Sequence, residues 1–434
     1  MADAPADLEI RLLTADDDPA PQLDLAERAF GAVPAAEREG RIRSLPGQMA
    51  SGRILGVFAG RQPAASASYH DMRQWWCGRP VPMAGVAGVM VAPEYRSRGV
   101  GRRVMTALLD EIAARGYPLS ALYPATMPLY RSLGWELAGA RDTVVIPARS
   151  LRGLTLPDDL APGDLAPGDL EPGGLRPADL EPGGLTAGAA PDPRPGPELR
   201  RAGPADADVV IAMLGRVHAA ARDCGPLTRD PAMVAQWLAD PGLYAYLAAD
   251  GFLAYRWHHR NHDLFVECAE AVSAQTVRAF WTQVGSYASM AEKIYARTSP
   301  ASAIWWLTRE RDPDIEHRAR WMLRVVDAPA AIAARGFPPA VSLRVPLRVI
   351  DAARPANAGT WELTVAGGAG ALTPAGPAQA PGVLVLGARG LAALYAGTPV
   401  GTLRQAGLAA GGTPDGNAAL DAAFAASTFM LDAF

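Results

Sequence analysis

The chain is poor in lysine, in cysteine and in surplus charge of either sign, and each shortage excludes a class of function. Lys293 is the only lysine, so arginine supplies every other cation. With 41 basic against 45 acidic residues and a formal net charge of -4, the chain has no electrostatic footprint for nucleic acid. Cys77, Cys224 and Cys268 are the three cysteines. They are widely spaced and lack paired ligand residues, so neither a disulfide framework nor a metal site is expected, and a reducing compartment fits. No run reaches the ~18 apolar residues of a membrane span, and the N-terminus lacks the basic-then-apolar pattern of an export signal. The expectation is a soluble cytoplasmic protein without a membrane or nucleic-acid partner.

What is there is a globular composition, 49% apolar and 20% charged, over 434 residues. At roughly 100–200 residues per domain this length calls for more than one core, and three are expected. A five-residue period marks the clearest boundary, between about Leu156 and Pro197, in Asp164-Leu165-Ala166-Pro167-Gly168 and its neighbours. Recurrent Pro and Gly forbid a helix there, so the segment reads as an exposed tether or loosely packed ribbon, with a pentapeptide solenoid as the alternative.

Upstream of it, Leu23 to Phe30 has helical periodicity, Ile54 to Ala59 and Ala64 to Tyr69 read as strands, and Val81 to Val91 is a long apolar run. Arg102 to Arg115 then places Val104, Met105, Leu108 and Ile112 on one helical face, stops at Gly116 and leads to a strand from Leu119 to Tyr123. Downstream, Asp206 to Arg222, Pro231 to Leu238 and Gln275 to Ser289 read as helices and Leu243 to Trp257 as a hairpin. From Trp321 the pattern is α+β: strands at Met322 to Val326, Val341 to Val349 and Thr360 to Val365, with helices near Pro329 to Arg335, Leu386 to Tyr395 and Ala418 to Ala426.

The chemistry concentrates at Pro93-Glu94-Tyr95-Arg96-Ser97-Arg98-Gly99-Val100-Gly101-Arg102, where a strand hands over to a helix. Glycines let backbone N–H groups converge on an anion, the helix start adds partial positive charge, and Arg96, Arg98 and Arg102 can neutralise phosphate oxygens. A second element runs from Ala125 to Glu136, where Thr126 is placed to cap a short helix and Gly134 to end it. On that helix Tyr130 stands beside Leu129 and Leu133, the place of a core aromatic.

The apolar strand, the Pro-x-x-Arg-x-x-Gly-x-Gly loop and the amphipathic helix together resemble the coenzyme A pyrophosphate loop of the GNAT acetyltransferases. The whole-chain pattern, including Arg320 to Pro329 and the terminal Phe434, is similar to the enhanced-intracellular-survival (Eis-like) N-acetyltransferases. The resemblance implies an α/β and α+β architecture of tandem GNAT folds followed by a sterol-carrier-like domain. Its divisions are a catalytic GNAT domain over 1–150, the linker over 151–198, a second GNAT-like domain over 199–318 and the last domain over 319–434. It implies acetyl-CoA as donor, a small-molecule primary amine (aminoglycoside, polyamine or lysine-like) as acceptor, and a homo-oligomer, a hexamer by resemblance. Implied donor contacts are the bulged-strand backbone of Val89, Met90 and Val91, the loop residues Arg96, Ser97, Arg98, Gly99, Val100, Gly101 and Arg102, and Ala125 and Thr126. Tyr130 is implied as general acid and the C-terminal carboxylate of Phe434 as base. The alternative is a non-catalytic acetyl-CoA or apolar-ligand binding protein.

Three further clusters have simpler readings. Trp75 and Trp76 either line an amine cleft or anchor a hairpin. His258, His259 and His262 read as a surface hairpin, and Asp16, Asp17 and Asp18 as helix capping.

Overall fold

The structure, a computed structural model, describes residues 8–152, 154, 197–308, 313–376 and 382–434. Of the repeat segment read from about Leu156 to Pro197 as tether or ribbon, residues 156–196 lie outside the described residues. The chain forms two compact units. One combines residues 1–141, 222–228 and 319–434, and the other combines 142–221 and 229–318.

In the first unit the N-terminal part runs β1 (Leu8–Leu12), α1 (Ala20–Phe30), α2 (Ala35–Ala50), β2 (Ile54–Ala59), β3 (Gln62–Trp76), β4 (Arg79–Val91), α3 (Val100–Ala114), β5 (Leu119–Leu122), α4 (Met127–Arg131) and β6 (Glu136–Pro147), whose residues from Asp142 onward belong to the second unit. Strands β1 to β4 pair antiparallel in sequence order, and β5 lies parallel to β4 because the helix α3 carries the chain back across the sheet. The apolar stripe that marks α3 in sequence buries Val100, Val104, Met105, Leu108, Leu109 and Ile112. Each contributes roughly 1.5–3 kcal/mol for the larger side chains, which fixes the helix start relative to the sheet. Trp75 and Trp76 are hairpin residues: both are buried at the end of β3, Trp76 edge-on to Trp321 and Tyr395, and Cys77 and Gly78 turn the chain with positive φ. Asp17 serves Arg11 and the Thr14 amide, and Asp18 accepts from Ala20 N at the head of α1, so only Asp18 has the capping role expected of the run.

The second unit contains β7 (Arg200–Arg201) and α5 (Ala207–Ala221); β8 (Cys224–Thr228) belongs to the first unit, antiparallel to β3. The second unit resumes with α6 (Pro231–Leu238), β9 (Leu243–Ala248), β10 (Gly251–His258), β11 (Asp263–Ala271), α7 (Ala274–Gly285), β12 (Lys293–Thr298) and α8 (Ile304–Leu307). Its sheet repeats the plan of the first: β9, β10 and β11 are antiparallel, and β12 is parallel to β11 after the crossover by α7. His259 pairs with Asp263 at 2.8 Å in the turn between β10 and β11, as a surface hairpin would have it.

The last stretch runs as β13 (Asp314–Val325), whose residues from Ala319 onward belong to the first unit, then α9 (Ala328–Ala334), β14 (Leu343–Ile350), β15 (Gly359–Ala366), β16 (Ala369–Pro374), β17 (Leu384–Gly387), α10 (Ala388–Tyr395), α11 (Val400–Gln405), β18 (Ala409–Gly411) and α12 (Pro414–Phe424). The end of β13, read from sequence as opening the last domain, pairs with β5 from Met322↔Leu122 to Val325↔Leu119. The sheet β16-β15-β14-β17-β18 follows it. Leu386, expected in a helix, is the third residue of β17, and the helix starts only at Ala388. Between these layers Arg324 and Asp351 form a fully buried ion pair at 2.7 Å, and a side chain at Gly134 would strike the Arg324 guanidinium at 2.8 Å.

Candidate active site

Strand β4 and its neighbour β5 make a wedge. Their parallel pairing ends at Val86↔Leu122, yet β4 continues to Val91, so the two strands part from Ala87 onward. Within that free stretch the register against β3 slips, from Ser68↔Ala87 to Ser66↔Met90, which inserts one extra residue on β4. Gly88, with φ +57, takes the left-handed conformation of this bulge, and Ser68 Oγ donates to Ala87 O at 3.0 Å beside it. Val89, Met90 and Val91 therefore lie beyond the last β5 partner, and the backbone groups turned away from β3 face the opening.

The loop after β4 makes a short 3-10 turn at Pro93–Tyr95, then Ser97 and Gly99 both take positive φ before α3 begins. Gly99 is the N-cap residue of α3 at φ +75, and no side chain caps the helix. The first turn of α3 has no acidic residue, so the amides at its start are left for an anion. Arg96, Ser97, Arg98 and Arg102 are exposed around it. Arg102 donates to Ser132 Oγ at 2.8 Å, and Ser132 Oγ donates to Leu129 O at 2.7 Å, which ties the start of α3 to the end of α4. A Cβ on Gly101 would come to 3.4 Å from Val91 and 3.7 Å from Leu129, so Gly101 is the contact of helix, strand and α4. Replacing Gly99 with alanine meets no neighbouring atom within 4 Å, but it penalises the left-handed conformation by about 1–2 kcal/mol. The expected result is a rise of up to about tenfold in the dissociation constant of coenzyme A by calorimetry with kcat little changed.

Ala125 and Thr126 are exposed in the turn before α4. Thr126 occupies the N-cap position with extended backbone, but its side chain makes no capping hydrogen bond, unlike the sequence expectation. Pro128 in the first turn removes one amide that would need capping. Tyr130 is 5% exposed, and burial raises its pKa above the ordinary phenol value. It therefore keeps its proton at neutral pH. Arg131, the next residue, is held by the buried Glu136 at 2.8 Å, and Arg389 of α10 binds the other carboxylate oxygen at 2.6 Å.

The C-terminal tail crosses the same unit in a channel floored by glycines. Thr428 Oγ1 donates to Ala396 O at 2.7 Å, Phe429 N to Cys224 O at 3.1 Å, Met430 N to Ala140 O at 3.2 Å, and the Tyr123 hydroxyl to Asp432 O at 2.7 Å. A Cβ would lie 2.6 Å from Thr428 O at Gly139, 2.0 Å from Phe429 O at Gly225 and 2.9 Å from the Phe434 ring at Gly85. Phe434 packs edge-on against Tyr123 at 5.8 Å between ring centres. The structure thus brings Phe434, β4 and β5 together. Tyr123, whose hydroxyl is engaged by the tail, was not singled out from sequence; its position directly after the β5 run was the available signal.

The second unit contains the same bulge, and its parallel pair likewise ends, at Val266↔Ala296, before β11 does. Register between β10 and β11 slips from Tyr255↔Val266 to Ala254↔Cys268, leaving Glu267 as the extra residue. Its carboxylate accepts from Trp237 Nε1 at 2.8 Å and pairs with Arg256. At the head of α7, Ser273 caps the helix and Asp250 accepts from Ser273 N at 2.8 Å and Thr276 Oγ1 at 2.5 Å. Burial works against the Asp250 charge, but those hydrogen bonds hold its pKa below the ordinary carboxylate value. At this helix start the Ser273 amide is taken by the Asp250 carboxylate and the Thr276 amide by Ser273 Oγ, unlike the uncapped start of α3.

A splayed parallel pair, a bulged strand and an uncapped glycine-led helix start define an acetyltransferase fold of the GNAT type. Residues 9–138 and residues 225–325 each match an acetyltransferase (GNAT) domain, and residues 328–431 match a sterol carrier protein domain. The crystal structure of a GCN5-related N-acetyltransferase from Kribbella flavida is 41% identical, with a TM-score of 0.85 over 99% of this chain and 98% of that one. The chain belongs to the GCN5-related N-acetyltransferases, in their Eis-like group. Eis1 from Mycobacterium abscessus shares the fold over 98% of this chain and 100% of its own, at 22% identity and a TM-score of 0.72. The N-acetyltransferase Eis of Mycobacterium tuberculosis (strain CDC 1551 / Oshkosh) is 33% identical over 98 residues, 22% of this chain and 24% of its own length. The aligned stretch therefore spans about a quarter of that curated relative. The GNAT domains imply acetyl-CoA as the acetyl donor. No described helix is long and apolar enough to cross a membrane.

Proposed function

We propose that the chain transfers an acetyl group from acetyl-CoA directly to a primary amine of a small molecule, of the aminoglycoside, polyamine or lysine-like class. The observation that carries this reading is the convergence, on one unit, of the β4 bulge, the buried phenol of Tyr130 and the docked tail ending at Phe434. The amides at the start of α3, with Arg96, Ser97, Arg98, Gly99, Val100, Gly101 and Arg102, hold the pyrophosphate. Backbone donors of Val89 and Val91, with Met90 between them, stabilise the developing oxyanion, and Ala125 and Thr126 border the thiol end. The Phe434 carboxylate draws the acceptor ammonium in and takes its proton, the amine attacks the thioester carbon, and Tyr130 protonates the departing sulfur. No acyl-enzyme forms. The same reading carries a cytoplasmic homo-oligomer, six copies by family resemblance.

The test is thiol release from acetyl-CoA with a polyamine, an aminoglycoside and a lysine peptide as acceptors. Amine-dependent release is expected, and binding of acetyl-CoA without turnover on any acceptor would instead favour a ligand-binding protein. Removal of Phe434 should lower kcat/KM for the amine about a hundredfold while leaving coenzyme A affinity unchanged. Full activity after removal would eliminate the carboxylate from the reaction.

A further inference from the structure

One titratable side chain near this site has no part in the scheme above. Ser66, Ser68, His70 and Met72 alternate onto a single face of β3, since successive strand side chains point to opposite faces. The opposite face carries Tyr69, edge-on to Tyr117 and beneath Arg115. The His70 face is the α1 face, because Ser66 Oγ accepts from Gln22 Nε2 of α1 at 2.8 Å.

Across the ladder His70 is the partner of Gly85. Directly opposed residues share a face with Cβ positions about 5 Å apart. The Cβ position of Gly85 lies 2.8 Å from Met72 Sδ and 2.9 Å from the Phe434 ring, so the imidazole opens onto the space that Phe434 enters. Along β4 the bulge begins just after Ala87, two residues on, or about 7 Å at strand rise. His70 thus stands between the end of the tail and the point where the β4 backbone opens. It is exposed, and it makes no hydrogen bond or ion pair among the described residues. Burial of its surroundings first, and the charge of Arg53 second, lower its pKa below the ordinary imidazole value.

We propose that His70 receives the proton that the Phe434 carboxylate draws from the acceptor ammonium and releases it to water. This rests on the amine-acetyltransferase reading. It supplies what an α-carboxylate of ordinary pKa about 3.5 lacks, a ring nitrogen that can hold the proton and pass it to water. The balance is complete. An N–H bond of the ammonium breaks and its proton passes through the carboxylate to the imidazole; the freed lone pair forms the C–N bond. The C–S bond then breaks, sulfur takes the Tyr130 proton, and the phenolate recovers a proton from the acylated nitrogen. One proton leaves per acetyl group, through an exposed side chain rather than a buried one.

The ionisable groups on the elements packed about this face are few. Arg53 heads β2, Tyr123 follows β5, Arg141 lies over the Tyr123 ring at 5.4 Å, and the tail brings Asp432 and the Phe434 carboxylate. On α1, Asp24 and Arg28 pair with each other, Arg28 also with Glu94, and Glu27 with Arg38.

The experiment is a pH profile of the full-length protein and its His70→Gln variant with saturating acetyl-CoA and spermidine, a 2-deoxystreptamine aminoglycoside and a lysine peptide as acceptors. In the unmodified protein kcat/KM for the amine should fall as pH drops through the imidazole pKa, below its ordinary value of about 6.5, because a protonated ring accepts nothing. His70→Gln should lower kcat/KM about thirtyfold or more at pH 7.5, leave KM for acetyl-CoA unchanged and abolish that acid limb. Added imidazole should restore part of the activity of His70→Ala, which a structural role would not predict. An unchanged acid limb in His70→Gln, with the unmodified protein active, overturns the role of His70 alone. An unmodified protein that binds acetyl-CoA but acetylates none of the three overturns the amine-transfer reading and His70 with it.

Discussion

Replacing Tyr130 with phenylalanine should lower turnover at saturating acetyl-CoA about a hundredfold while KM for acetyl-CoA stays within about twofold. The split follows from position. The ring fills the core beside Leu133 and Trp135, and phenylalanine keeps that packing, so α4 and the loop it braces should not move. Only the hydroxyl is lost, and among the described residues that hydroxyl makes no hydrogen bond that its removal would break. Tyr123, the other phenol near the tail, is already committed to Asp432 O and cannot replace it without releasing the tail. The pH dependence separates the two roles further. A general acid works in its protonated form, and burial raises the Tyr130 pKa, so its alkaline limb should lie above the ordinary phenol value of about 10 and vanish in the variant. Steady-state kinetics with thiol detection decides the matter, and equal turnover by both proteins would assign the acid elsewhere.

The second large effect concerns stability. Asp351→Asn keeps the shape of the side chain but leaves the Arg324 guanidinium buried without its counterion. Arg324 is 0% exposed, and desolvation already lowers its pKa, with only Asp351 opposing. Removing one partner of such a pair costs about 3–5 kcal/mol, whereas replacing both with apolar residues is often close to neutral. Denaturant unfolding should therefore show a large loss for Asp351→Asn and a smaller one for the double variant Arg324→Met, Asp351→Leu. The single variant should also weaken activity, because Gly134, which abuts that guanidinium, ends the segment that carries Tyr130. Equal losses in the single and double variants would show that packing, not the unpaired charge, sets the stability.

The parts of this molecule that were legible in sequence are those made by neighbours along the chain. Val81 to Val91, Gly99 and the stripe of α3 announce a strand, a positive-φ turn and a helix because each signal is local, and the structure places them at Arg79–Val91, Gly99 and Val100–Ala114. Gly88 inside an apolar run was a usable hint of the bulge. The Ser66, Ser68, His70 alternation was likewise visible as a polar face on a buried strand, but nothing local says which face meets the tail. Met322 to Val326 reads correctly as a strand, while its partner, β5, is chosen by packing at a separation of two hundred residues that no periodicity reports. The strands β16, β17 and β18 are short and lie at or near sheet edges, where alternation is weakest, and Thr126 shows that a residue in the cap position need not cap.

The carboxylate of Asp250 at the head of α7 has a consequence for how domains are counted in chains of this kind. Two stretches of this protein match the same domain description, yet a fold and the reaction it hosts are duplicated separately. In the second unit a carboxylate stands at the helix start, accepting from the Ser273 amide and Thr276 Oγ1, where the first unit has no acidic residue in the first turn. The number of reaction centres in such a protein is therefore read from the residues at each helix start, not from the number of times the fold occurs.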